Sequence, residues 1–204
     1  MPAQQPGDAL VAGVDEVGRG ALFGPVVAAA VVLPASASGE LVRAGVRDSK
    51  QLSAQRRQAL VPTIGNVARD WAVASASARE IDRLNVRQAA RLAMVRAVDA
   101  LAVRPQACWI DGREQLPELA LPQRSWIRGD ARVAAIAAAS IVAKVCRDEC
   151  IAQQAPTYPA YDLAANKGYG TRRHRQALQR YGPSDQHRRS FRPCQQAPAA
   201  SHRD

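Results

Sequence analysis

Residues 11–34, VAGVDEVGRGALFGPVVAAAVVLP, decide how the chain folds. Leu10 to Asp15 is a short apolar run that ends in acids and is followed by glycines, which reads as a buried strand and a turn. Val26 to Leu33 is rich in Val, too short to span a membrane, and bounded by Pro25 and Pro34, so it reads as a second strand. Two adjacent carboxylates, Asp15 and Glu16, therefore close a buried strand. Charge in such a place is expensive unless something pairs with it.

Outward from this pair, Ser53 to about Ile64 reads as a helix with Ser53 as N-cap. Trp71 to Ser77 reads as a third strand. Residues 79 to 102 read as one or two helices, with Asn85 as a cap and Leu92, Val95 and Leu101 on the apolar face. Ala107 to Asp111 is a fourth strand stopped by Gly112, and Arg124 to Arg128 a weak fifth stopped by Gly129. Ala131 to about Ala155 is a long Ala-rich helix with Asp130 at its start. One further helix fits at about Arg172 to Tyr181. Strands come first and then alternate with helices, an α/β pattern around one mixed sheet.

The chain has 204 residues, enough for one core without disulfide or metal staples. Lys and Arg number 28 against 18 Asp and Glu, a net charge of +10, which points to a polyanionic partner such as nucleic acid. A hydrophobic share of 47% excludes a disordered basic tail protein. No apolar run reaches the roughly 18 residues of a membrane span, and no signal-peptide pattern opens the chain, so neither membrane nor secretion is expected. Cys108, Cys146, Cys150 and Cys194 form no CxxC pair, and the three histidines lack zinc-site spacing. A reducing cytoplasm fits best. The basic charge is concentrated late: residues 167 to 204 carry nine Lys and Arg against two Asp.

Three short patterns can carry chemistry. The first is Gly13 to Gly20 (GVDEVGRG). Its acids could face water at a strand end, or hold a hard cation such as Mg²⁺ or Mn²⁺. Its glycine spacing is not that of a dinucleotide-binding loop, whose pyrophosphate acids would repel. Because neighbouring strand residues face opposite ways, both acids reach one site only if the strand ends or bends at Glu16. The second and third patterns are Ile110-Asp111-Gly112 and Arg128-Gly129-Asp130, each an Asp at or just past a strand end. Ligand sites in open α/β sheets lie outside strand ends, so these acids could converge on one cation, although an Asp before a helix is also a plain N-cap. The lysines add a hint. Against 25 Arg there are three Lys, at 50, 144 and 167, which suggests places that need a compact point charge such as a phosphate contact.

Residues 11–34, then DSKQL (48–52), IDG (110–112), GD (129–130), IAAASIVAKVCRD (136–148), KGYGT (167–171) and HRRSF (187–191) resemble bacterial ribonuclease HII, in the family's order and across about residues 10 to 192. One departure is Asn166, where a His is expected before the Lys-Gly-Tyr-Gly run. The resemblance implies an RNase H-like fold, with a catalytic domain over 9–155, a small basic helical region over 156–192 that completes the substrate groove, and a disordered tail over 193–204. It implies a metal-dependent endonuclease that cuts the RNA strand of RNA–DNA hybrids, including single ribonucleotides in duplex DNA, with Mn²⁺ or Mg²⁺ as cofactor. Products would carry 5′-phosphate and 3′-hydroxyl ends, and a monomer is expected. The metal-binding carboxylates would be Asp15, Glu16, Asp111 and Asp130. Gly18, Arg19 and Gly20 would read the 2′-hydroxyl with backbone groups, Tyr169 would stack at the ribose-to-deoxyribose step, and Lys50, Ser140 and Lys144 would lie among the phosphate contacts. Asp148 competes for the fourth carboxylate. If Asp130 caps the long helix, a rise of about 1.5 Å per residue puts the two roughly 27 Å apart, so only one can join, and Asp130 follows the strand end. Asp148 is expected to pair with an Arg on the helix surface. The rival readings are a non-catalytic hybrid- or RNA-binding protein, which would need no acid cluster, and an RNase H-like DNA nuclease.

Overall fold

The computed structural model describes residues 10–34 and 36–199. The elements, in order, are β1 (Val11–Val17), β2 (Val26–Leu33), α1 (Ala37–Arg43), α2 (Ala54–Val67), β3 (Asp70–Ala76), α3 (Ala78–Leu84), α4 (Val86–Asp99), β4 (Ala107–Asp111), β5 (Gln123–Trp126), α5 (Ala134–Gln154), α6 (Leu163–Asn166), α7 (Arg172–Tyr181) and α8 (Arg192–Gln195). They build one five-stranded mixed sheet of order β3-β2-β1-β4-β5. β1 pairs antiparallel with β2 and parallel with β4, and β4 pairs parallel with β5. The C-terminal ends of β1, β4 and β5 therefore lie along the same edge.

The alternation of β2 divides the core. Ala29, Val31 and Leu33 enter a cluster with α1, α2 and α5. Val26, Ala28, Ala30 and Val32 enter the opposite cluster with α3 and α4. A strand buried on both faces needs the unbroken apolar run that β2 has. On the α5 side the packing is unusually close. A Cβ at Gly13 would stand 2.1 Å from the carbonyl carbon of Ala135, so backbone meets backbone there. The alanine run of α5 supplies a surface that flat.

Turn chemistry places the helices on the other face. Ser77 and Glu80 form a reciprocal capping box at the start of α3. Asn85, in the left-handed half of φ space at 68°, separates α3 from α4 and accepts hydrogen bonds from the Arg87 and Gln88 amides.

Three expectations are corrected. Asp130 does not start the long helix: it sits in a 3₁₀ turn, Gly129–Ala131, and α5 begins at Ala134 after an N-cap residue, Val133, whose side chain cannot accept. A helix not expected from sequence, α1, covers one side of the α5 layer. The expected tail from 193 is in part ordered: Arg192–Gln195 form a turn of helix and Cys194 is buried beside Leu22, Phe23 and Leu178. Residues 1–9 and the remainder of the expected tail from 200 lie outside the described residues. No helix among the described residues is long and apolar enough to cross a membrane.

Gly13→Ala forces the new methyl against helix backbone, which cannot rotate away. Overpacking of this kind costs about 3 kcal/mol, a fall in Tm of roughly 10 °C for a domain of this size. Thermal melts by circular dichroism check it, and a change under about 2 °C would show that α5 can slide off the strand at little cost.

Candidate active site

Four acids meet at the common edge of β1, β4 and β5. The parallel register pairs Val14 with Ile110, so Asp15 and Asp111 come next, side by side on neighbouring strands. Both project to the α5 face, with Gly13 and Trp109 below them. Glu16 does not bend the strand: β1 runs on through Val17, paired with β2, and the turn comes at Gly18 (φ 91°). Glu16 therefore points to the opposite face, and reaches the cluster from its edge. It helps to line a cavity of about 270 Å³ with Arg19, Asp111, Arg113 and Glu114. Asp130 arrives from the 3₁₀ turn after β5.

Small residues bring these acids close. The Gly129 amide donates to Asp111 Oδ1 at 2.7 Å. A Cβ at Gly129 would stand 2.6 Å from Ile136 Cδ1, 3.0 Å from Trp126 Cβ and 3.2 Å from that same oxygen, so a larger residue would crowd the contact. Asp15 accepts at Oδ1 from the Glu16 amide at 2.7 Å, and the Ser140 hydroxyl also supports its charge. Ser140 in turn shares a 2.8 Å hydrogen bond with Ser49.

These bonds do not compensate the crowding. Burial first, and then Glu16 and Asp111, push the Asp15 carboxyl well above the ordinary range. Burial also raises Glu16, against the pull of Arg19, and raises Asp111, to which Asp130 adds. Two exposed cations stand at the rim. Arg19 Nη1 lies 3.1 Å from Glu16 Oε1, and Lys50 Nζ lies 3.1 Å from Asp130 Oδ2. No three Asp, Glu, His or Cys side chains among the described residues converge on a point that would hold an ion. The donor set still fits a hard divalent cation: it is all carboxylate oxygen, its members repel one another, and Lys50 is exposed enough to swing aside.

The other sequence-derived residues surround the acids. Gly18, Arg19 and Gly20 form the turn after β1. A Cβ at Gly18 would strike Arg147 Nε at 2.2 Å, whereas one at Gly20 meets nothing within 4 Å. Tyr169 faces this turn across a bridge to Ala21, with Lys144 Nζ 5.3 Å from its ring centroid. Ser140, expected at a phosphate, is buried and hydrogen-bonds Ser49 and Asp15. Lys144 is not a free cation either, because it donates to Asp148 at 2.7 Å. Asp148 thus pairs first with a lysine, and Arg57 approaches it only to 4.0 Å. Asn166 takes the place of the expected His by accepting from the Gly168 amide and donating to the Tyr161 carbonyl.

Sequence reasoning missed the residues that hold the turn. Arg147 and Arg188 are fully buried, and neither forms an ion pair with a carboxylate among the described residues. Arg147 donates to the carbonyls of Phe23, Pro25 and Lys167. Arg188 donates to Gly24 and Arg19, and burial brings its guanidinium down to about 9. Both lie inside the family-like motifs, but one sequence gives no sign that an Arg among 25 is buried.

The sequence profile described as Ribonuclease HII matches residues 12–194. Ribonuclease HII of Acaryochloris marina is 56% identical over 185 residues, 91% of this chain and 93% of that protein. Ribonuclease HII of Synechococcus elongatus is 52% identical over 188 residues, 91% and 87% of the two chains. Among solved structures, ribonuclease H2 from Pyrococcus horikoshii OT3 superposes with a TM-score of 0.80 at 27% identity, covering 91% of this chain and 95% of that one. Bst-RNase HIII in complex with Mn²⁺ shares the fold, with a TM-score of 0.73 at 21% identity over 94% of this chain and 70% of that one.

The raised acids make a prediction with a definite sign. A carboxyl that holds its proton more tightly when folded subtracts from stability above its folded pKa, and ceases to do so as the pH falls toward the ordinary value of 3.8. In EDTA, Asp15→Asn should therefore melt above wild type at neutral pH. The gap should close as the pH is lowered through the raised range of Asp15. A variant that melts below wild type at neutral pH would show that Asp15 is already compensated without a cation.

Proposed function

Because the chain belongs to the ribonuclease HII family, a metal-dependent endoribonuclease that cleaves the RNA strand of RNA–DNA hybrids, we propose that Asp15, Glu16, Asp111 and Asp130 hold its divalent cations. The observation that carries this is the delivery of four acids to one sheet edge, three of them with a raised hold on their protons. A bound divalent cation supplies an activated water and charge stabilisation at the scissile phosphate. Mn²⁺, the ion bound by Bst-RNase HIII, and Mg²⁺ both suit an all-oxygen donor set.

The chain's own residues do the rest. Lys50, displaced from Asp130, is free to meet a phosphate. The Gly18 carbonyl is taken by the Ala21 amide and the Arg19 carbonyl by Arg188. With those two carbonyls taken, the remaining backbone groups of the turn are left to meet a 2′-hydroxyl, and the open space at Gly20 lets a sugar approach them. Tyr169, beside this turn, stacks on the next sugar if that sugar lacks a 2′-hydroxyl. The substrate range then includes a single ribonucleotide in duplex DNA, cut on the 5′ side of the last ribonucleotide. Arg172, Arg173, Arg175 and Arg180 are exposed on α7 and grip the duplex backbone. The chain acts as a monomer in this reading, and a reducing cytoplasm suits its free thiols.

The test is a cleavage map on a uniform hybrid and on a DNA duplex with one ribonucleotide, with and without EDTA. Asp15→Asn and Asp111→Asn should abolish cleavage of both, and Asp148→Asn should be far milder. Activity within about tenfold of wild type would remove either Asp from the cation set. Gly20→Ala should leave the melting temperature unchanged and erode the preference for the junction, since its methyl collides with nothing in the protein.

The basic helix gives a separate expectation. Arg172→Gln with Arg175→Gln should flatten the salt dependence of hybrid binding by about 0.7–0.9 in log–log slope for each phosphate no longer neutralised. An unchanged slope would make this face of α7 merely solvated.

A further inference from the structure

The two histidines of the C-terminal region are buried against each other. His174 on α7 and His187 in the following loop are 0% and 1% exposed, and their Nε2 atoms lie 3.0 Å apart. Two ring nitrogens at that distance share one proton, and the surrounding donors say which one carries it. The Ser184 amide, which can only donate, points at His187 Nδ1 at 3.0 Å, and the Ser184 hydroxyl lies 2.8 Å from the same atom. His187 Nδ1 is therefore bare and its proton is on Nε2. That proton goes to His174 Nε2, so the His174 proton is on Nδ1. From there it is donated to the backbone carbonyl of Tyr169, 3.0 Å away. Every donor and acceptor in the line from Ser184 to Tyr169 is satisfied by this one order.

We propose that His174 and His187 are positioning residues, a neutral pair with a fixed proton order that holds the Tyr169 backbone and so aims its ring at the substrate. The proposal rests on the reading of Tyr169 as the side chain that senses the junction. The Tyr169 carbonyl also accepts from the Thr171 amide at 2.8 Å, so the peptide following the tyrosine is fixed from two sides. On its other side, Tyr169 bridges to Ala21, next to the Gly18-Arg19-Gly20 turn. His187 reaches the same loop through its own bridge to Phe23. One buried pair thus ties Tyr169 to the loop proposed to read the ribose.

The groups around the pair keep it neutral. Asp162 faces His174 and Asp185 faces His187, and each favours a proton on its ring. Against them stand burial, the packing of Tyr161 at 4.5 Å and Phe23 at 5.0 Å from the His187 ring centroid, and for His187 the partner ring itself. Burial wins at both rings, with His187 brought down to about 3. A second proton between the Nε2 atoms would set two donors face to face, and the line would break.

The test has two arms, both on the full chain. Proton–nitrogen correlation spectra of the histidine rings at neutral pH should show one ring protonated at Nδ1 and the other at Nε2, assigned through His174→Asn and His187→Gln. Two identical tautomers, the reverse order or a charged ring would overturn the pair. The second arm compares cleavage of a single-ribonucleotide duplex with cleavage of a uniform hybrid, as a ratio within each preparation, so that a loss of folded protein cancels. His187→Phe keeps a flat ring and removes the nitrogens, and should lower the ratio about tenfold. His187→Gln, whose amide can donate where Nε2 did, should stay within about threefold of wild type. A His187→Phe ratio equal to wild type would overturn the positioning role. If His187→Phe lowers the ratio while Tyr169→Ala does not, the aim at Tyr169 is overturned, and the reading of Tyr169 fails separately from the proton order.

Discussion

The contact between Gly13 on β1 and Ala135 on α5 sets the spacing of everything at the catalytic end of the sheet. With backbone against backbone, α5 lies closer to the strand than any side chain would permit. One and a half turns further along, Ser140 reaches the Asp15 carboxylate and the Ser49 hydroxyl. Further still, Lys144 and Arg147 reach Tyr169 and the turn after β1. A larger residue at position 13 would shift all of these together. The alanine run of α5 follows from this close approach rather than from helix propensity alone.

The acids then inherit a conflict that the fold does not resolve. The parallel pairing of β1 with β4 puts Asp15 beside Asp111, and the Gly129 amide holds Asp111 in place. Each hydrogen bond that steadies a carboxylate also keeps it near its neighbours. Lys50 and Arg19 compensate only two of the four, and both are exposed side chains at the rim. Repulsion held in a rigid frame is a common condition of sites that recruit cations, because relief then comes from binding rather than from movement.

Much of the fold is legible from the chain. The apolar run of Val26–Leu33, the Gly112 stop after Asp111 and the Ser53 cap each depend on neighbours within a few residues, and each stands where local pattern puts it. The acids too are legible, because strand ends in an α/β sheet share an edge. What local pattern misses depends on distant partners. The start of α5 reads too early because Ala131 to Val133 have helix-compatible side chains, whereas the backbone makes a 3₁₀ turn over Gly129–Ala131 and is extended at Val133. The helix α8 reads as a tail because its Pro and Gln carry no apolar period, and only the fold puts Cys194 against Leu22 and Phe23. Arg147, Arg188 and the histidine pair are invisible for the same reason: their partners are backbone groups, one serine hydroxyl and one another, which leave no mark on composition.

Arg188 has one more consequence, for the order in which the molecule is made. Its guanidinium holds the Arg19 carbonyl across 169 residues of sequence, and its own amide holds Leu22. Chains emerge from the ribosome N-terminus first, and local units can fold as they appear. The sheet with α1 to α5 has its partners once residue 154 is out, and Arg147 is there to hold Phe23 and Pro25, but the Arg19 carbonyl lacks its bond until residue 188 follows. The nascent chain can thus carry all four acids while the loop proposed to choose its substrate still lacks its last tether. If that loop reads the ribose, the acids are in place before the bond that fixes selectivity can form.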